Sequence, residues 1–374
     1  MAVAVCGSAF GQTFGFHLID PGPDYRRAEP GGLSADGRVV GCWAERRIPP
    51  GRALSAALLV PNVGARVDFS ETNTEYIDTT MRGVSGNGLI GVGSVGYSSS
   101  RPAVPTRFDS ATGEALELGL IGGYTQGSAW GADETGNVIV GNCTRLLELF
   151  FEESVAFRWT PQQGMRALSA LSPFDEYVEA TAVSRDGRVT VGMCTDAQAF
   201  TTKPVKWIDN NFPIQLPFVP GLEEVAGVQG VSANGDWIVG LSGGVAAVWG
   251  PDGGVTRLWG PGYSERGGYA WGVSDDGQVI VGYAGRTGNI FDAFVWASTT
   301  EGMLLQDYLS SHGVSVPTGV RLEIAYDVSA DGRTFSGRAM VNGLRQTFVA
   351  TIPAPATLVL LSAVLMFPSR RRSP

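Results

Sequence analysis

The chain has 374 residues, of which 44% are hydrophobic and 52 are glycine, and its formal net charge at pH 7 is −9. This composition excludes disordered and collagen-like proteins, because the glycines recur at turn positions rather than at every third residue. The acidic balance, with no basic stripe before the last few residues, argues against nucleic acid or an anionic membrane surface as partner.

The N-terminal segment, residues 1–11, is small and apolar and ends in Ala9-Phe10-Gly11, a sequence typical of a signal-peptidase site. Because it lacks a basic n-region, we interpret it as a truncated secretion signal. Cys6 as a lipoprotein cysteine is a weaker alternative, since bulky Val5 precedes it.

A hairpin-like stretch then recurs about seven times, most clearly at residues 270–283. Each copy has a short strand, an Asp-Gly or Asn-Gly type turn and an apolar strand that ends in Gly. Asp or Asn followed by Gly tolerates the positive φ angles of two-residue hairpin turns. The glycines that end the second strand lie 42 to 55 residues apart: Gly41, Gly91, Gly141, Gly192, Gly240, Gly282 and Gly337.

Each unit continues with a third strand that ends in an aromatic residue, as in Ala293 to Trp296, and with a fourth strand, as in Val255 to Leu258. Four strands per unit and a period near 50 predict an all-β fold, a β-propeller of seven four-stranded blades. The Trp that ends the third strand is expected to pack between blades.

The two ends of the array are complementary. The seventh unit stops after its third strand, at Phe348 to Thr351, whereas a strand at Phe16 to Ile19 has no hairpin before it. An open β edge favours aggregation, so we expect the N-terminal strand to close the ring. The propeller is thus predicted to span residues 12–352, with a short helix at 305–313 that stops at Gly313.

The tail, residues 353–374, departs from the repeat. An apolar run at 356–367 follows Pro353 and Pro355 and precedes the cluster Arg370, Arg371 and Arg372. Twelve apolar residues are fewer than the roughly 20 that span a bilayer. The run is therefore predicted to be a short apolar sorting helix, and membrane contact is expected only through this tail.

Catalytic motifs are sparse. Neither His17 nor His312 lies in a nucleophile or metal motif, and the sequence contains no His-Glu-x-x-His or Gly-Lys phosphate loop. The four cysteines lack zinc-type spacing and are read as small buried residues. The repeated acidic residues suit hairpin turns better than a calcium loop: Asp36, Asp186, Asp276 and Asp331. No cofactor or metal is implied.

One position varies while its surroundings repeat: the residue that precedes each hairpin strand. It is Arg82, Trp130, Thr181, Gln229, Trp271 or Tyr326 in successive units. A propeller could place ligand contacts there, and the aromatic members could stack on sugar rings. The candidate binding residues are thus Arg82, Trp130, Trp271 and Tyr326, and packing between blades is the alternative.

Two resemblances add to these patterns. Val155-Ala156-Phe157 and Asp292-Ala293-Phe294, which lack the histidine of the motif, resemble the extracellular repeat family named for His-Ala-Phe (HAF) over about residues 16–351. That resemblance implies an exported, β-propeller-like protein of uncharacterised role. The tail resembles the PEP-CTERM sorting signal, with Ala354 in the place of Glu. This implies processing by an exosortase-like enzyme and an address at the surface or matrix of a polysaccharide-producing bacterium.

The sequence therefore predicts an exported, non-catalytic propeller that binds extracellular polysaccharide or a surface protein, or acts as a structural module. The alternative is a carbohydrate-active lyase or hydrolase on the same scaffold, since propeller enzymes assemble carboxylates from different blades. A cluster of carboxylates or a His-Tyr-Arg set at the mouth of the ring would favour the enzyme. Aromatic shelves without acid–base groups would favour binding.

Overall fold

A computed structural model describes residues 14–19, 25–46, 54–60, 65–69, 78–96, 102–148, 151–209, 211–223, 225–263, 267–286, 290–298 and 300–354. The predicted secretion segment, Cys6, the apolar sorting helix, Pro355 and the cluster Arg370, Arg371 and Arg372 lie outside these ranges.

The described chain is almost entirely β-structure. It begins with β1 (Gly15–Ile19), and the next eight strands form one sheet: β2 (Tyr25–Leu33), β3 (Val40–Arg46), β4 (Leu54–Val60), β5 (Ala65–Asp68), β6 (Asp78–Val84), β7 (Ile90–Gly96), β8 (Val104–Asp109) and β9 (Ala115–Glu117). A second eight-stranded sheet follows: β10 (Gln126–Ala132), β11 (Ile139–Glu148), β12 (Phe151–Thr160), β13 (Gly164–Ala167), β14 (Tyr177–Val183), β15 (Val189–Asp196), β16 (Thr201–Ile208) and β17 (Ile214–Gln215).

Three four-stranded sheets complete the described structure. The first two contain β18 (Ala226–Val231), β19 (Ile238–Ser242), β20 (Val245–Trp249) and β21 (Val255–Arg257), then β22 (Gly268–Val273), β23 (Val279–Arg286), β24 (Ile290–Ala297) and β25 (Met303–Leu304). After helix α1 (Leu305–Ser311), the last sheet contains β26 (Val320–Val328), β27 (Thr334–Val341), β28 (Leu344–Thr351) and the N-terminal β1.

The unit common to all five sheets is a group of four antiparallel strands. Each eight-stranded sheet consists of two such groups, joined by one parallel residue pair, Leu54 with Asp78 or Ser154 with Tyr177. This repeated group confirms the all-β prediction and gives the molecule a β-propeller arrangement. The predicted short helix is present as α1, and Gly313 follows it with φ +79°.

The N-terminal strand completes the last group, as the sequence predicts. β1 pairs antiparallel with β28, from Gly15 opposite Thr351 to Ile19 opposite Thr347. The ring of Phe16 stacks on that of Phe348 with centroids 5.8 Å apart. The strand thus covers the edge of β28 that would otherwise be open.

The repeated turns differ from the two-residue hairpin turns that the sequence suggests. In the first group the strands end at Leu33 and resume at Val40, and Gly37 has positive φ whereas Asp36 does not. The buried Ser34 hydroxyl accepts from Val39 N (2.9 Å) and donates to Asp36 Oδ1 (2.7 Å). Side-chain hydrogen bonds therefore build a longer turn, in which only Gly needs the left-handed region.

The same pattern recurs at Ser184 and Asp186, Ser274 and Asp276, and Ser329 and Asp331. The repeated aspartates therefore serve turn structure, as predicted. Neighbouring turns also bind one another: Ala35 N donates to Gly86 O (2.8 Å) and Ala330 N to Ala35 O (2.9 Å). The second of these bonds joins the last group to the first.

The tryptophans that end the third strands lie between groups, which confirms the predicted packing. Trp249 on β20 is 1% exposed and shares a core cluster with Val191 on β15. Its Nε1 donates to Pro217 O at 2.7 Å. Trp207 and Trp296 are equally buried and donate to Ser169 O and Trp259 O. Each ring thus fills the space between two strand groups and satisfies its own donor.

Cys42, Cys143 and Cys194 are buried free thiols, as expected for small core residues. No helix within the described ranges is long and apolar enough to cross a membrane.

Candidate functional site

The positions singled out in the sequence are the sites of β-bulges. In the first hairpin strand of each group the pairing register shifts by one residue shortly before the turn. The extra residues are Gly31, Arg82, Trp130, Thr181, Gln229, Trp271 and Tyr326. A bulge leaves one residue unpaired in the ladder and re-aims its side chain. The variable position therefore has a backbone cause.

The recurring glycine is part of the same device. A Cβ on Gly282 would lie 1.9 Å from the carbonyl oxygen of Tyr269, two residues before the bulged Trp271. Gly141, Gly192, Gly240 and Gly337 meet equivalent carbonyls at 1.8 to 2.2 Å. In the first two groups the residues that pair at this position are Cys42 and Gly93. The sequence-based alignment, which used Gly41 and Gly91, is therefore shifted by one residue in the first group and by two residues in the second.

All seven bulge residues line one central cavity of about 650 Å³. The four predicted binding residues Arg82, Trp130, Trp271 and Tyr326 are thus brought together, although they come from different sheets. This volume lies in the usual range for small-molecule sites.

Trp271 and Tyr326 make part of the cavity lining aromatic, and Tyr269, which does not line the cavity, supports Trp271. Tyr269 stacks on Trp271 with centroids 5.0 Å apart, and Trp271 meets Tyr326 edge to face at 5.1 Å. Gln229 Nε2 donates to the hydroxyl of Tyr269 at 3.0 Å. The indole Nε1 of Trp271 is buried and has no acceptor among the described residues. The rings are held in place, and one of their donors is unused.

Trp130 is fixed by a polar chain behind it. Its Nε1 donates to Asn142 Oδ1 at 2.8 Å, and Asn142 Nδ2 donates to Glu179 Oε1 at 3.2 Å. The same oxygen accepts from the hydroxyl of Tyr177 at 2.8 Å. Burial raises the pKa of Glu179 despite this bond. The guanidinium of Arg82 lies 4.9 Å from the centroid of the Trp130 ring.

An ionisable cluster lies where the last group meets the first. Arg338 Nε lies 3.1 Å from Glu323 Oε2, and its Nη1 lies 4.0 Å from Glu29 Oε2 and 3.5 Å from the hydroxyl of Tyr326. Both carboxylates are only 7% exposed. Burial raises the pKa of Glu29, and Arg338 and Arg27 oppose that rise.

The turn end of the cavity contains two further acidic groups. Asp275 forms an ion pair with Arg185, which links the turn of β14 and β15 to that of β22 and β23. Asp327 accepts from Leu33 N (3.0 Å) and Val328 N (2.8 Å). Asp327 as a whole is half-buried, but its carboxyl group is enclosed by protein atoms. This burial raises the pKa of the carboxyl group to about 6.

Sequence reasoning missed Glu29, Arg338 and Asp327. Arg338 directly follows Gly337, as Asn142 follows Gly141, so the position after the closing glycine is a second one that varies inside the repeat. That signal was available. The pairing of Glu29 with Arg338 was not, because it depends on ring closure between β2 and β27.

The other features carry less chemistry. A cavity of about 630 Å³ between β20 and β24 is lined mainly by apolar residues and glycine, without a comparable ionisable cluster among those described. No group of three or more His, Cys, Asp or Glu side chains in the described ranges is arranged to hold a metal ion. His17 and His312 lie apart from the central cavity lining.

Comparison of the sequence with protein-family models finds no match, and comparison with curated proteins finds no similar sequence. Solved structures do share the fold. An oligogalacturonate lyase in complex with manganese has a TM-score of 0.56 at 13% identity, over 88% of this chain and 90% of that chain. The propeller domain of the Trilobed protease from Pyrococcus furiosus gives 0.55 at 11%, over 87% and 95%.

A structure from a study of two prolyl endopeptidases gives a TM-score of 0.55 at 10% identity and covers 89% of this chain. This chain spans only 51% of that protein. The prediction that the protein is not an enzyme is contradicted by these comparisons. That prediction rested on the lack of recognisable catalytic motifs in a propeller, and enzymes share the propeller architecture. At such identities the similarity shows the fold alone, and that fold is a β-propeller.

Proposed function

We propose that the protein is a carbohydrate-active enzyme, a lyase or a hydrolase, whose active site is the central cavity. The observation that carries the proposal is the convergence of a carboxyl group, a phenol and a guanidinium at one place: Glu29, Tyr326 and Arg338. The sequence-based criterion for an enzyme was a cluster of carboxylates or a His-Tyr-Arg set. Here Glu29 stands in the place of the histidine, and a second carboxylate, Glu323, lies beside Arg338.

Glu29 is the proton donor in this proposal. Burial raises its pKa, which keeps the proton on the carboxyl closer to neutral pH, as general acids require. A hydrolase and a lyase both cleave the bond to a glycosidic oxygen, and both need a proton on that leaving oxygen. The role of Glu29 is therefore common to the two reactions.

Tyr326 and Arg338 position and stabilise charge beside that donor. The hydroxyl of Tyr326 lies within reach of Arg338 Nη1, which also faces Glu29. A guanidinium next to the reacting atoms can stabilise negative charge that develops in the transition state. The rings of Trp271 and Tyr326, which line the cavity, offer flat apolar surfaces of the kind that sugar rings cover. The similar fold of an oligogalacturonate lyase is consistent with a saccharide substrate.

The architecture proposed for this site is a seven-bladed ring closed by β1. Each eight-stranded sheet counts as two blades, because one parallel residue pair joins its halves. The hydrogen bonds between the turns of the last and first groups support a closed circle. Seven bulge residues around one cavity fit the same count.

The destination of the protein is a further part of the proposal. The HAF-like repeat and the PEP-CTERM-like tail support export to the surface or matrix of a bacterium, with an exosortase-like enzyme as processing partner. An extracellular location would bring the cavity into contact with polysaccharide.

The test is cleavage of a panel of oligosaccharides, with product release followed by chromatography and by the absorbance of the unsaturated sugar that a lyase creates. We expect Glu29→Gln to lower kcat by roughly 100-fold or more, with KM little changed. Glu114→Gln, an exposed carboxyl outside the cavity, is the matched control. Equal rates for the two variants, or no product from any saccharide, would refute the proposal.

A further inference from the structure

The lining of the central cavity has a charge opposite to that of the chain. Five arginines contribute to it, against three carboxyl groups: Arg27, Arg82, Arg185, Arg338 and Arg345, with Glu29, Asp275 and Asp327. The whole chain has a formal charge of −9. The lining is therefore richer in arginine than in carboxyl groups, and the arginine that lacks a carboxylate partner among the described residues is the one available to a ligand.

Four of these arginines are paired with carboxylates. Arg27 lies 2.9 Å from Glu45, Arg345 lies 4.0 Å from Glu323, and Arg338 and Arg185 form the ion pairs described above. Arg82 differs from them. Among the described residues no carboxylate lies within ion-pair distance of it, and its contact is with the face of Trp130.

The environment of Arg82 is open to the cavity on one side and lined by protein on the other. Its side chain is exposed to the cavity, but the surrounding protein desolvates the guanidinium and thereby lowers its pKa, whereas Tyr326 raises it slightly. A guanidinium that faces a cavity without a carboxylate partner is free to pair with an anionic ligand. Arg82 is therefore a candidate for binding a negatively charged group.

The neighbouring groups define the rest of the ligand. Trp130 supports the guanidinium through a cation–π contact, which leaves the edge of the fork free to donate. The rings of Trp271 and Tyr326 line the same cavity. A guanidinium that is unpaired within the described part of the chain, beside flat aromatic rings, suits a ring-shaped ligand that carries a negative charge.

We infer that the cavity takes an acidic oligosaccharide, one that contains a uronic acid, and that Arg82 binds its carboxylate. The inference rests on the proposed function for the saccharide class and deepens it by assigning charge and a specificity-determining residue. A planar carboxylate matches the two parallel N–H donors of a guanidinium. The long-range repulsion expected from a −9 chain favours a short oligosaccharide over a densely charged polymer.

The experiment is calorimetric titration of the full chain with uronic-acid oligosaccharides of two to four residues and with the same compounds after reduction of each carboxylate to an alcohol. We expect the acidic forms to bind at least 10-fold more tightly. Arg82→Gln should weaken binding of the acidic form by roughly 10- to 100-fold, as loss of a charge-assisted pair implies, and should leave the reduced form unaffected. Arg166→Gln, an exposed arginine on β13, is the control.

Arg82→Lys separates charge from geometry, because an ammonium keeps the charge and loses the fork. We expect an intermediate affinity. Thermal unfolding provides the second readout: Arg82→Gln should leave the melting temperature nearly unchanged, since the side chain is exposed and has no carboxylate partner among the described residues. A large fall in melting temperature would instead give Arg82 a structural role and would overturn the inference.

The outcomes separate this inference from the proposed function. Tight, Arg82-dependent binding of the acidic form without any cleavage would support the carboxylate site and refute the enzyme. Cleavage of neutral saccharides alone, or equal affinity for acidic and reduced forms, would overturn the inference while the enzyme assignment stood.

Discussion

Replacement of Asp327 by Asn gives a test of the electrostatics at the closure of the ring. The carboxylate accepts from Leu33 N on β2 and from Val328 N, so it links the last strand group to the first. Burial nevertheless raises its pKa to about 6, from an ordinary 3.8. The folded state thus prefers the protonated carboxyl group more than the unfolded state does.

The sign follows from linkage. A group whose pKa is raised on folding favours the folded state most below its unfolded pKa, and this contribution is lost as pH rises through the folded value. Two pKa units correspond to about 3 kcal/mol in total, of which about 2 kcal/mol falls between pH 4.5 and pH 7.5. Asn does not ionise, so the variant lacks this loss.

The absolute stability of the variant is less informative than its pH dependence. The amide has one acceptor oxygen for two backbone N–H groups, which lowers stability by roughly 1–3 kcal/mol at every pH. We therefore expect the stability of Asp327→Asn relative to the natural protein to rise by about 2 kcal/mol from pH 4.5 to pH 7.5.

Urea unfolding at both pH values measures this difference, and other titrating groups cancel because both proteins contain them. Asp307→Asn, at an exposed position on α1, should show a difference that changes little with pH. A relative stability of Asp327→Asn that is constant, or that falls as pH rises, would show that the two N–H donors outweigh desolvation.

Two further predictions concern the scaffold. Gly282→Ala should destabilise the protein by about 3 kcal/mol or more, because its Cβ would collide with the carbonyl of Tyr269. Gly122→Ala, with no atom near the added methyl group, should stay within about 0.5 kcal/mol in the same urea titration. Trp249→Ala should cost about 3–5 kcal/mol, since it empties the space between two sheets. Trp259→Ala, at a residue 44% exposed, should cost far less, and similar losses for the two tryptophans would contradict the packing role.

The sequence predicts the strand groups well because their signals are local. The apolar strands, the turn glycines and the terminal Trp all lie within one unit of about 50 residues. The closing role of Phe16 to Ile19 was also accessible, since a surplus strand at one end matched a missing strand at the other. The turn type was not predictable in the same way. Asp followed by Gly suggests a two-residue hairpin turn, but the hydroxyl of the preceding Ser34 forms hydrogen bonds that build a longer turn.

The candidate binding positions stand out in the sequence through their variability, and the cause of that variability becomes clear only in three dimensions. In a regular strand, successive side chains point to opposite faces of the sheet, so Trp271 would point away from the face that Ala270 covers. The bulge opposite Gly282 changes that direction and places Trp271 in the central cavity. No local pattern identifies which residue pairs lie across the ring, so the contact of Glu29 with Arg338 was inaccessible.

This geometry separates the residues that hold the fold from those that define the site. The closing glycine, the turn serine and the third-strand Trp repeat because each blade meets the same packing and backbone constraints. The bulged residue has no ladder partner and no place in the core, so Gly31, Arg82, Thr181 and Gln229 can occupy equivalent positions without changing the strands around them. Substitution at these positions should therefore alter ligand specificity at little cost in stability, whereas substitution of Gly282 should do the reverse.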